Sequence, residues 1–122
     1  MLEGLAEIVN GDEALVRRGR YFSDTFMLEV GETEVLIEIR QGRVERVETG
    51  PFVMRSWTFA IRASEEVWRR FWEELPEPGY HDIFALLRKG RVALDGELQP
   101  MMANLLYVKA VIAAPRKMAA SA

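Results

Sequence analysis

The sequence predicts an α+β domain in which helices cover one face of a five-stranded, mostly antiparallel sheet. Three observations predict it. Apolar and polar residues alternate in short runs between Phe26 and Ile61, the period of half-buried strands. Apolar residues recur at helical spacing after Ser64 and crowd the chain after Pro100. The strand-like runs are grouped and most helical segments cluster after them, which is the order of an α+β chain.

Taken in order, residues 1–20 read as helix, interrupted at Asn10-Gly11. Asp12 can cap the second part, whose apolar surface is Ala14, Leu15 and Val16. Phe26, Leu28 and Val30 alternate with Met27 and Glu29; Val35, Ile37 and Ile39 alternate with Leu36, Glu38 and Arg40. Gly31-Glu32-Thr33 and Gln41-Gly42 supply short turns, so these strands are antiparallel neighbours in a meander. Residues 43–48 are mostly charged, with Val44 and Val47 three apart, which predicts a bulged edge strand facing water. Gly50-Pro51 ends it, and the alternation of Trp57, Phe59 and Ile61 predicts a fourth strand.

Ser64 then caps a helix with Glu65 and Glu66 in its first turn and Val67, Trp68, Phe71, Trp72 and Leu75 on its apolar stripe. Pro76-Glu77-Pro78-Gly79 forces a turn. Residues 81–89 predict a short helix with Ile83, Phe84, Leu86 and Leu87 inward and Gly90 as its C-terminal cap. A fifth strand runs over 91–95 to Gly96; Pro100 opens the last helix and Pro115 closes it, leaving a frayed tail over 115–122.

The 122 residues fit a single domain spanning 1–122, large enough to bury about two-thirds of its chain surface without staples. There is no cysteine, which excludes disulfides and thiolate chemistry and suits a reducing cytoplasm. The N-terminal residues have no basic start followed by an apolar core, so no signal peptide is expected. The longest apolar run, Met101 to Ala114, would be about 21 Å long as a helix against a bilayer core of about 30 Å, so no integral membrane insertion is expected. Net charge is −3, a poor balance for nucleic-acid binding. Arg17-Arg18-Gly19-Arg20 has two readings, an anion contact or a solvated helix end.

Little in the sequence suggests catalysis. The lone histidine, His81, adjoins Asp82, and adjacent helical residues point about 100° apart, so they form no simple dyad. Its plain reading is a residue at a helix start. There is no Gly-x-Ser-x-Gly elbow, phosphate-cradling loop or His-x-x-x-His pair. Asp95-Gly96-Glu97 reads as a turn, although carboxylates beside a turn can do acid–base work. The expectation is a non-enzyme without metal or cofactor.

The final helix is the informative element. It is apolar on nearly all sides, where a helix covering a small sheet should show a polar face. It can lie deep in the core, pack on a second subunit, or line a cavity. Adjacent Met101 and Met102 suit varied apolar partners as well as ordinary gap filling. Trp57, Phe59, Trp68, Phe71, Trp72 and Phe84 add more apolar surface than a thin two-layer fold needs, which implies a partner or a pocket.

The succession Trp57-Thr58-Phe59-Ala60-Ile61, Ser64-Glu65-Glu66-Val67-Trp68, Pro76 to Leu86, Gly90 to Gly96 and Met102 to Tyr107 resembles the sterol-carrier-protein-2-like family, and the strands of the first half are similar to that family's opening sheet. The resemblance implies a five-stranded sheet, an apolar tunnel beneath the helices, and a C-terminal helix at the tunnel mouth that can act as a lid. It also implies lipid ligands such as fatty acyl chains or sterols, and no catalytic residues. The chain ends Ala120-Ser121-Ala122 without the peroxisomal tripeptide of the best-known carriers, which points to a bacterial-type stand-alone member.

The expected function is therefore non-catalytic binding or transport of a lipid or other apolar small molecule. Candidate lining residues are Phe26, Leu28, Trp57, Phe59, Trp68, Trp72, Phe84, Met101, Met102, Leu105 and Leu106. The alternative is a structural or accessory interaction module, with the last helix forming a homodimer or partner interface. A third reading, an enzyme using His81 or carboxylates, needs a reactive bond placed beside them.

Overall fold

Alternating side chains place β1 (Asp24–Val30), β2 (Thr33–Arg40), β3 (Arg43–Thr49), β4 (Phe59–Ala63) and β5 (Val92–Gly96) in one sheet, in the order β3-β2-β1-β4-β5. This computed structural model describes residues 2–52 and 54–117. The helices are α1 (Leu5–Asn10), α2 (Glu13–Arg18), α3 (Glu65–Phe71), α4 (Ile83–Arg88), α5 (Gln99–Ala103) and α6 (Leu105–Ala113).

The sheet is mixed. β1–β2, β2–β3 and β4–β5 pair antiparallel, whereas β4 crosses over to lie parallel to β1, with Phe26 opposite Phe59 and Leu28 opposite Ile61. β3 is an edge strand, and its register slips opposite Glu38/Ile39, so the expected bulge is present. The Gln41-Gly42 turn has positive φ at both residues (49° and 81°), as a two-residue hairpin of this hand requires.

One face of the sheet carries Phe26, Leu28, Val30, Val35, Ile37, Ile39, Phe59 and Ile61, which join the apolar sides of the helices in one buried cluster. The helices are tied down by polar contacts at their edges. Trp68 Nε1–H donates to Glu29 O at 2.8 Å, Trp72 Nε1–H to Ile112 O at 2.9 Å, and Tyr107 O–H to Gly42 O at 2.7 Å. Asp12, Ser64 and Asp82 cap α2, α3 and α4 through Leu15 N–H, Val67 N–H and Phe84 N–H.

Four elements differ from expectation. Trp57 precedes β4 and lies on the opposite face of the sheet, where it and Phe52 cover Met27, Leu36 and Ala60. α3 ends at Phe71 and leaves Leu75 exposed, since a residue before proline is pushed out of helical geometry. The last helix is two helices, because Asn104 leaves helical geometry (φ −127°, ψ 36°) and its Nδ2–H donates to Pro100 O, four residues back. Arg116 is held rather than frayed: Nε–H donates to Phe71 O (2.7 Å) and an Nη2–H to His81 O (3.0 Å), and Lys117 pairs with Asp12 at 3.5 Å. Residues 118–122 of the expected tail lie outside the described residues.

Candidate functional site

The residues expected to line a cavity fall into three groups. Phe26, Leu28, Phe59, Trp68 and Met101 are buried between the layers. Phe26 stacks on Phe59 with ring centroids 5.0 Å apart, and Trp68 stacks on Trp72 at 4.8 Å while meeting Phe71 edge-on. Trp72, Phe84 and Leu105 are half-buried at the margin of that cluster. Met102 and Leu106 face outward, 46% and 69% exposed. Trp57 is separated from all of these by the sheet.

Among the described residues, the side chains between the layers are tightly packed. Phe26, Phe59, Ile61, Met101, Val108 and Val111 are 0% exposed, so no water-sized space borders them.

Openings lie at the surface of the helix layer. One cleft of about 380 Å³ sits over the α5–α6 break and is lined by Arg18, Met102, Ala103, Asn104, Leu106 and Tyr107, with Leu105. Its base is the buried Tyr107, whose ring packs against Gly19 and Phe22. Burial pushes the Tyr107 phenol up to about 12, so it stays neutral and donates to Gly42 O. Arg18 is the cation at this cleft, and it forms no ion pair among the described residues. The sequence singled out the Arg17-Arg18-Gly19-Arg20 run, but nothing in it tied Arg18 to Met102, more than eighty residues away.

A second cleft of about 380 Å³ runs between α2 and α6 over Ala14, Ala110, Ala113 and Ala114, with Arg18 at its edge. A third, of about 250 Å³, holds His81, Asp82, Lys109 and Arg116. Burial alone would raise the Asp82 carboxyl, but Phe84 N–H and the Lys109 ammonium at 3.2 Å outweigh it and hold the group below the ordinary carboxylate range. Asp95 lies on the other face of the sheet, paired with Arg62, so His81 and Asp95 do not meet. Among the described residues no cluster of three or more histidine and carboxylate side chains could hold a metal, and no helix is long and apolar enough to cross a membrane.

The fold recurs in solved structures. Sterol carrier protein 2 superposes with a TM-score of 0.75 over 94% of this chain and 92% of that one, at 15% identity. The fold is that of sterol carrier protein 2. A conserved hypothetical protein from Thermus thermophilus shares this fold, with a TM-score of 0.69 at 16% identity over 95% of this chain and 84% of that one. A UbiJ-SCP2 ubiquinone synthesis protein also shares it, with a TM-score of 0.56 at 14% identity over 94% of this chain and 90% of that one. No protein-family model and no curated protein sequence matches the chain.

Proposed function

We propose that the protein binds and carries an apolar small molecule of lipid type without chemically changing it. The observation that carries this reading is the α5–α6 break, where exposed Met102 and Leu106 border an open cleft directly outside the aromatic interlayer core. In the proposed mechanism α5 swings away at Asn104, and an acyl chain enters between Met101 and the sheet. Arg18 faces an acidic head group. About ten buried methylenes at about 0.8 kcal/mol each give about 8 kcal/mol, comparable with the cost of association. The sterol carrier protein 2 fold supports this reading. A homodimer or accessory interface is the second reading, favoured by the exposure of Leu106.

Native mass spectrometry of freshly purified protein, with organic extraction of anything released, tests both. Near-stoichiometric lipid is expected. Leu106→Glu should remove the lipid and leave the oligomeric mass unchanged. An empty dimer that this substitution converts to monomer would replace the carrier reading with the interface reading.

A further inference from the structure

The two edges of the sheet differ. At β3, Asn10 Nδ2–H donates to Val44 O at 3.0 Å and Val44 N–H donates to Asn10 Oδ1 at 2.8 Å, so a side-chain amide stands where a neighbouring strand would bond. The register slip in β3 is a second guard against pairing. β5, at the other edge, has neither device. Ala63 O accepts from Gly31 N–H on the β1 side at 2.9 Å, so Val92, its partner across the β4–β5 pair, is not bonded to β4. Bonded and non-bonded residues alternate along an antiparallel pair, so Val92 and Leu94 both aim their N–H and C=O groups off the open edge. No described residue bonds them there. Around them Arg91, Ala93, Asp95, Gly96 and Glu97 are exposed.

We infer that β5 pairs antiparallel with β5 of a second copy of this chain, across a two-fold axis at Leu94. The open groups set the register: Leu94 faces Leu94, and Val92 faces Gly96. The same register sets Arg91 opposite Glu97 at both ends of the pair, a favourable cross-strand match of charge. Both side chains are exposed, and neither forms an ion pair within the chain among the described residues. Asp95, on the same strand, is already paired with Arg62 at 3.3 Å. A slip of two residues one way sets Asp95 against Asp95, where like charges repel; the other way sets Arg91 against Asp95, which Arg62 already neutralises. On the helix side, half-buried Leu94 meets its own copy on the axis. The two five-stranded sheets then run on as one, with both helix layers on the same side. An edge of five residues is a small contact, so the dimer is reversible and depends on concentration.

Sedimentation velocity over rising protein concentration, up to the millimolar range, measures the association. Arg91→Glu and Glu97→Arg each set like charges opposite one another at both ends, and each should weaken the dimer about 30-fold, about fivefold for each of the two pairs. Mixed in equal amounts, the two variants should associate about as tightly as wild type, because every end contact then joins a glutamate to an arginine. Recovery on mixing also shows that neither variant is misfolded. Hydrogen exchange places the contact: the Leu94 amide should exchange more slowly as the dimer forms. Leu106→Glu, on the other side of the helix layer, should leave this dimer intact. A monomer at every concentration, a dimer that both charge variants retain, a mixture that stays monomeric, unchanged exchange at Leu94, or a dimer that Leu106→Glu dissolves would each overturn it. Lipid extraction reads the carrier function separately, so either inference can fail without the other.

Discussion

Tyr107 is buried with its hydroxyl hydrogen donated to Gly42 O, so one side chain joins α6, the α2 exit and the β2–β3 turn. Tyr107→Phe leaves Gly42 O without that donor and should cost about 1 kcal/mol in urea unfolding. The phenol also links stability to alkaline pH. Its folded value of about 12 lies above the ordinary value of 10.0, so between these the native state keeps a proton that the unfolded chain has lost. Stability from this group is complete below pH 10 and falls as pH rises toward 12; in Tyr107→Phe that part of the fall should vanish. Gly19 is needed for a different reason: a Cβ there would lie 2.3 Å from the Tyr107 ring. Gly19→Ala should therefore destabilise by about 1–3 kcal/mol through overpacking, read from the same unfolding curves.

At the scale of elements, the caps at Asp12 and Ser64 were legible in the sequence because they are local, whereas the cap at Asp82 came from the structure. Asp12, Ser64 and Asp82 each precede an apolar-periodic segment and each accepts a backbone N–H there. For Asp82, where His81 was expected at the helix start, the structure adds a second partner in Lys109 on α6. Asp82→Ala should lower stability at pH 7 by about 1 kcal/mol, and Asp82→Asn, which keeps a cap, by less. The carboxyl's depressed value means its contribution is present above the ordinary carboxylate range and is lost as pH falls through the folded value. The melting-temperature gap between wild type and Asp82→Ala should accordingly close in acid. The division of the last helix was not legible: the run from Met101 reads as one apolar helix, and only the backbone at Asn104 shows that Met101 turns inward while Met102 and Leu106 turn out.

Across the whole molecule, the sheet separates two apolar regions. Trp68 and Trp72 belong to the helix side, whereas Trp57 lies on the other face with Arg62 at 5.6 Å over its ring. A ligand entering between the layers should change the fluorescence of Trp68 and Trp72 and spare that of Trp57. Trp57→Phe should thus retain the lipid-induced change and Trp72→Phe should lose much of it; the opposite pattern would place the ligand on the far face. By itself, the sequence determined most of the elements, the caps at Asp12 and Ser64, the turns, the bulged edge strand and the α+β class, because period, capping and turn chemistry act over a few residues. Only the tertiary structure decided that β4 lies parallel to β1, that Trp57 leaves the helix side, that Phe26 and Phe59 are fully buried between the layers, and that Arg40 and Arg43 join Arg17, Arg18 and Arg20. Each of these depends on residues far apart in the chain meeting at a contact that packing alone selects.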